Sequence, residues 1–203
     1  MVCMTAQRMK TLSPLFVEFL GSFFLVLTIH LSLGASNNQT LNAAMAIGSV
    51  LMVMVYSGGH ISGGHYNPAV TLAVLVAGRE KIARDTALTY MGFQLLGGVL
   101  GGISAWLCSA DLGVVPPEPT DYAAAWYAEF LFTFALCWIV LNTATSKHNH
   151  GNSFYGMAIG FIVVVGIVAC GHISGGQFNP AVATGLFVTN MVTGGDYMPH
   201  WWL

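Results

Sequence analysis

The chain has 203 residues, of which 55% are hydrophobic and only 7% charged, with a formal net charge of −2. A soluble globular domain carries about a quarter of its residues as charged groups, so this composition excludes one and points to an all-α, multi-pass membrane protein. The six Lys and Arg residues form no dense basic cluster, so nucleic acid is not a partner; the cysteines (Cys3, Cys108, Cys137, Cys170) lack metal-ligand spacing and disulfide-scaffold density, and no cofactor is implied.

A helix needs about 20 residues to cross roughly 30 Å of hydrocarbon at about 1.5 Å per residue. Residues 1–13 read as an N-terminal tail carrying Arg8 and Lys10, and the first apolar span is predicted near 14–33. Those basic residues give it some likeness to a signal peptide, but its length and the internal Glu18 argue for a retained span. Further spans are predicted near 41–58, 86–108, 122–143 and 153–170. Two shorter apolar runs, Asn67 to Ala77 and Asn179 to Met191, reach only about halfway across at the same rise per residue. They read as half-helices or buried re-entrant segments. Each opens Asn-Pro, with Asn as N-cap and Pro at the first helical position, where a missing N–H costs nothing. The glycine pairs ahead of them, Gly63-Gly64 and Gly175-Gly176, allow a tight, extended approach that side chains would block.

Charge sets the orientation. Arg8, Lys10, Arg79, Lys81, Arg84 and Lys147 fall at the N-terminus, in the loop after the first half-helix, or between spans four and five. If those segments are cytoplasmic the alternation is self-consistent, and the N-terminus is predicted inside. The opposite loops, 35–40 and 109–121, have no Lys or Arg, and the second carries Asp111, Glu118 and Asp121. Asn38-Gln39-Thr40 matches a glycosylation sequon, although the loop is short and three-residue matches arise by chance.

The segment His60-Ile-Ser-Gly-Gly-His-Tyr-Asn-Pro-Ala-Val70 returns as His172-Ile-Ser-Gly-Gly-Gln-Phe-Asn-Pro-Ala-Val182 at a constant shift of 112. Glu18-Phe-Leu-Gly-Ser-Phe23 is echoed by Glu129-Phe-Leu-Phe-Thr-Phe134. The halves, residues 14–110 and 111–203, are therefore a duplication, and three spans per half invert the second copy about an axis in the membrane plane. The half-helices then meet N-terminus to N-terminus near the midplane. Each contributes unpaired N–H groups and about half a positive charge, which repels cations and protons. Asn67 and Asn179 can cap their helices through oxygen while aiming amide hydrogens at a neutral solute in the lumen. Ala69 and Ala181 are small enough for the helix ends to touch. Gly97, Gly98, Gly101 and Gly102 allow close backbone approach by span three, read first as packing within the subunit and otherwise as an oligomer contact.

The two Asn-Pro-Ala boxes, Asn67-Pro68-Ala69 and Asn179-Pro180-Ala181, in their His-Ile-Ser-Gly-Gly contexts, make the chain resemble the aquaporin or major intrinsic protein family over residues 14–203. The resemblance implies an inverted-repeat helical bundle forming an hourglass channel for water or small neutral solutes, as a homotetramer with a pore in each subunit. It implies that Glu18 and Glu129, intramembrane acids that need partners, brace the half-helix loops. His60 and His172 read as loop-positioning groups, and His65 as a lumen-facing one. The membrane is the plasma membrane or an intracellular vacuolar type.

Counting from the boxes, the selectivity filter falls on Ile47, Ile167, Gly176 and Val182. Water-selective relatives carry Arg where this chain has Val182, and glycerol-conducting ones follow it with Asp where this chain has Ala183. Some plant vacuolar members share the Val but keep His at the position of Ile47. The expected filter is apolar and favours small neutral solutes such as ammonia, hydrogen peroxide or urea. The family has six spans, and Met198-Pro-His-Trp-Trp202 resembles the lead-in to a sixth. The expectation is five full spans and two half-helices with the sixth span missing, either because the sequence is a fragment or because a neighbouring subunit fills the gap. Two other readings compete. A membrane enzyme would use Ser62 or Ser174 with His60 or His172, but these pairs recur symmetrically where an active site is usually single. A non-conducting or regulatory truncated membrane subunit is the alternative function.

Overall fold

The structure, a computed structural model, describes residues 2–35, 40–109 and 121–193, with side chains from residue 12 in the first stretch up to residue 33. The described residues contain seven α-helices: α1 (Val2–Ala35), α2 (Thr40–Ser62), α3 (Pro68–Val76), α4 (Arg84–Cys108), α5 (Tyr122–Thr143), α6 (Tyr155–Ser174) and α7 (Pro180–Val192). Five are long and apolar enough to span a bilayer, while α3 and α7, at 9 and 13 residues, are the half-helices. Asn38 and Gln39 of the sequon, Asp111, Glu118 and the segment 198–202 lie outside the described residues.

Three boundaries differ from the sequence reading. Helix α1 runs back to Val2, through residues read as a tail, although its apolar crossing segment starts at Leu12. Helices α2 and α6 continue to Ser62 and Ser174, about one turn beyond the predicted ends. Their hydrogen-bond ladders persist, with Gly63 N–H donating to Gly59 O and Gly175 N–H to Gly171 O, both at 3.0 Å. Helix growth stops only where those glycines turn left-handed, at φ +97° and +94°.

Small residues decide which helices approach most closely. A Cβ at Gly97 or Gly101 would stand 2.3 or 2.4 Å from the Phe19 or Phe23 carbonyl of α1. One at Gly98 would stand 2.3 Å from Ala181 O, and one at Gly102 2.1 Å from Thr189 Oγ1, both on α7. The glycine stripe of α4 therefore packs on two faces within the subunit. Gly48 of α2 and Gly160 of α6 meet reciprocally, each ideal Cβ lying 2.6 and 2.4 Å from the other's carbonyl oxygen. These glycines are equivalent under the 112-residue repeat, so the pseudo-twofold axis passes between α2 and α6.

Candidate pore junction

Local backbone geometry builds the junction. Gly63, Gly64 and Tyr66 have φ of +97°, +65° and +51°; Gly175, Gly176 and Phe178 have +94°, +67° and +49°. The glycine pairs thus supply left-handed turns, a stricter need than the extended approach expected from sequence. A non-glycine residue in that region costs roughly 1–2 kcal/mol, and packing holds each one there. The Tyr66 ring fills a slot opened by Gly21 and Gly58, where a Cβ would lie 2.0 and 2.2 Å from its atoms, and its hydroxyl donates to Met54 O at 2.8 Å. Phe178 packs against Gly166 and, at 5.5 Å between ring centroids, Phe132.

These turns aim backbone N–H groups at the two intramembrane carboxylates. Glu18 Oε1 accepts from Ser62 Oγ (2.6 Å) and His65 N–H (3.0 Å), and Oε2 from Tyr66 N–H (2.7 Å) and Gln94 Nε2 (2.7 Å). Glu129 repeats the first three bonds with Ser174 Oγ (2.7 Å), Gln177 N–H (3.0 Å) and Phe178 N–H (2.7 Å). No counterpart of Gln94 bonds Glu129 among the described residues.

Both boxes are built as their residue types predict. Asn67 Oδ1 accepts from Ala69 N–H at 2.8 Å and Asn179 Oδ1 from Ala181 N–H at 2.9 Å, with Pro68 and Pro180 opening α3 and α7. The amide nitrogens differ from expectation. Asn67 Nδ2 donates to Phe178 O at 2.8 Å and Asn179 Nδ2 to Tyr66 O at 3.0 Å, so each box is tied to the turn of the opposite repeat. One of the two hydrogens on each amide is spent on this crossing, leaving one for a solute. These bonds tie the two tips together, and Ala181 O faces Gly98 of α4.

His60 and His172 do not sit in the loops. They occupy the last turns of α2 and α6 with exposed side chains, because those helices run one turn further than predicted. His65 is buried at 8% exposure, its Nδ1 lying 3.1 Å from Thr71 Oγ1 and its ring edge-on to Tyr90. Thr71 and Gln94 were missed by the sequence reading, yet both are fully buried and Gln94 Nε2 bonds both Glu18 and Thr71. A glutamine inside span three, where an amide is costly without partners, was the available signal.

Ile47, Ile167, Gly176 and Val182 are all buried. Gly176 packs on Ile167, with an ideal Cβ 3.4 Å from its Cα, and Ile47, Ile167 and Val182 belong to one continuous apolar cluster. A cleft of about 960 Å³ opens between α3 and α5 and reaches the second box. Its lining includes the apolar Ala73, Phe130 and Cys137 and the polar Glu129, Gln177 and Asn179.

Paired half-helices, capped by Asn, joined tip to tip and braced by buried glutamates within an inverted repeat, define a membrane channel of the class that passes water and small neutral solutes. The chain belongs to the major intrinsic protein family, whose model matches residues 5–202. It is 29% identical over 193 residues to glycerol uptake facilitator protein-like 6 of Lactiplantibacillus plantarum, covering 92% of this chain and 87% of that one. It is 33% identical over 183 residues to nodulin-26 of Glycine max, covering 86% of this chain and 66% of that one. In fold it is similar to the aquaglyceroporin from Plasmodium falciparum, with a TM-score of 0.76, 17% identity, and 92% and 84% of the two chains covered. Passive conduction of water and small neutral solutes across a membrane is the function this membership carries.

Proposed function

We propose that the junction of α3 and α7 is the ion barrier of this channel and that Ile47, Ile167, Gly176 and Val182 form its solute filter. The reciprocal Asn67 and Asn179 bonds carry the reading, because they hold two half-helix N-termini at one point. Two positive dipole ends there oppose cations and protons, while the remaining amide hydrogens serve a neutral solute. Glu18 and Glu129 brace the two turns; Pro68 and Pro180 start the helices; Ala69 and Ala181 supply the capped N–H groups. An apolar filter offers no fixed charge and no donor, so it favours ammonia, hydrogen peroxide and similar small neutral molecules over charged ones. The confinement of Arg79, Lys81, Arg84 and Lys147 to the loops after the first half-helix and between spans four and five supports a cytoplasmic N-terminus, and the family membership supports a homotetramer; protease access in sealed vesicles and native mass check these.

Proteoliposome assays test the filter. Stopped-flow shrinkage and solute uptake should show hydrogen peroxide and ammonia passing without ionic current, and Val182→Arg should narrow the solute range by placing a guanidinium in the constriction. Unchanged uptake in that variant would mean the filter lies elsewhere. A second reading, a non-conducting or regulatory subunit, predicts instead that vesicles containing the chain match empty ones.

A further inference from the structure

A line of side chains connects Glu18 to His65. Glu18 Oε2 and Thr71 Oγ1 lie 2.7 and 2.8 Å from Gln94 Nε2, and Thr71 Oγ1 lies 3.0 Å from Asn67 O and 3.1 Å from His65 Nδ1. The sense of each bond follows by elimination. A carboxylate already accepting from Ser62, His65 and Tyr66 is an acceptor towards Gln94 as well, so the amide nitrogen must face it. The second amide hydrogen then goes to Thr71 Oγ1. Asn67 O can only accept, which commits the single hydroxyl proton of Thr71 to it. Thr71 is left as an acceptor for His65, whose Nδ1 must carry the hydrogen. A neutral imidazole protonated at Nδ1 has a bare lone pair at Nε2.

That lone pair is not fully sealed. Among the described residues, the polar side-chain atoms both sealed and unpartnered are His30 Nε2 and Gln94 Oε1, so His65 Nε2, which no described group bonds, keeps some accessible surface although the residue is buried at 8% exposure. It lies against the Gly63-Gly64 turn, 3.1 Å from where a Gly63 Cβ would stand. The unpartnered Gln94 Oε1 is the cost of the amide orientation, which indicates that the orientation is imposed by Glu18 and Thr71. The second repeat has no such device, since Gln177 and Ala183 replace His65 and Thr71.

We propose that Gln94 and Thr71 are positioning residues that lock His65 as its Nδ1–H tautomer, making Nε2 a fixed acceptor for an N–H or O–H of the permeating solute on the first-repeat side of the boxes alone. The use of that acceptor rests on the channel reading; the tautomer does not. Magic-angle-spinning NMR on ¹⁵N-histidine-labelled protein in liposomes tests it, at about pH 8 so that the ring is neutral. The His65 signals are those missing from His65→Gln. The expected result is the Nδ1–H pattern in the unmodified chain, lost or mixed in Thr71→Val and restored in Thr71→Ser, with hydrogen peroxide flux falling several-fold in the valine variant and recovering in the serine one. An Nε2–H pattern in the unmodified chain, or an unaltered tautomer in Thr71→Val, overturns the proposal. Should Thr71→Val fail to fold, the unmodified spectrum decides alone. A correct tautomer in vesicles that pass nothing would sink the channel reading and leave the lock standing, whereas peroxide flux indifferent to Thr71→Val would remove the solute-acceptor role.

Discussion

At the residue scale, the energetic problem of this chain is two carboxylates at bilayer depth. A buried ionisable group is tolerated only when its lone pairs are taken, and among the described residues Glu18 has four donors where Glu129 has three. Truncating either strands the donors that served it, at about 1–3 kcal/mol for each buried one. Glu18→Ala should therefore destabilise the protein more than Glu129→Ala, by the contribution of about one donor, as read from thermal unfolding in detergent. Equal losses would mean that the Gln94 bond adds nothing. The glutamates were legible in the sequence because they recur, and recurrence in apolar surroundings implies a role. Thr71 was not, because it lacks a copy, Ala183 standing where it would repeat, and Gln94 was not, because a single amide in an apolar span does not show which groups it serves. The left-handed φ of Tyr66 and Phe178 was equally hidden, being imposed by a tertiary slot at Gly21 and Gly58 in one case and packing on Phe132 and Gly166 in the other.

At the scale of elements, the half-helices owe their position to their neighbours. At 9 and 13 residues they are too short to be stable from propensity alone. Helix α7 gains its place from α4, where Gly98 sits so close to Ala181 O that a methyl group would stand 2.3 Å away. Gly98→Ala should force the two helices apart and cost of order 1–3 kcal/mol as an overpacked contact. Gly92 on the same helix has nothing within 4 Å of an added Cβ. Gly92→Ala should be neutral or stabilising by up to about 1 kcal/mol, because alanine is the better helix former. Melting temperatures of the pair in one detergent check this, and equal shifts would refute the packing account. The half-helices were readable from Asn-Pro and run length. The extra turns on α2 and α6 were not, since hydropathy ends near position 58 while the backbone ladder continues until a glycine can turn it, and that turn moved His60 and His172 onto helices.

At the scale of the molecule, the repeat, among the described residues, is nearly symmetric in its bonds and asymmetric in its cover. Helix α4 closes the first repeat, supplying Gln94 to Glu18 and its glycine face to α1 and α7. The equivalent flank of the second repeat, between α3 and α5, is the cleft of about 960 Å³ with Glu129 in its lining. This asymmetry has a chemical handle in two thiols at membrane depth. Cys137 lines the cleft, whereas Cys170 is buried at 3% exposure inside the core. A small, bilayer-soluble thiol reagent applied to the 203-residue chain in liposomes should modify Cys137 well before Cys170, with peptide mass spectrometry locating the adduct. Matching rates would mean the cleft is closed in lipid and α3 has moved against α5. Because Ala69 and Asn179 both border the cleft, such a movement would shift the boxes themselves. The same samples should then show altered solute flux, which makes the covering of this flank a condition on the pore as well as on stability.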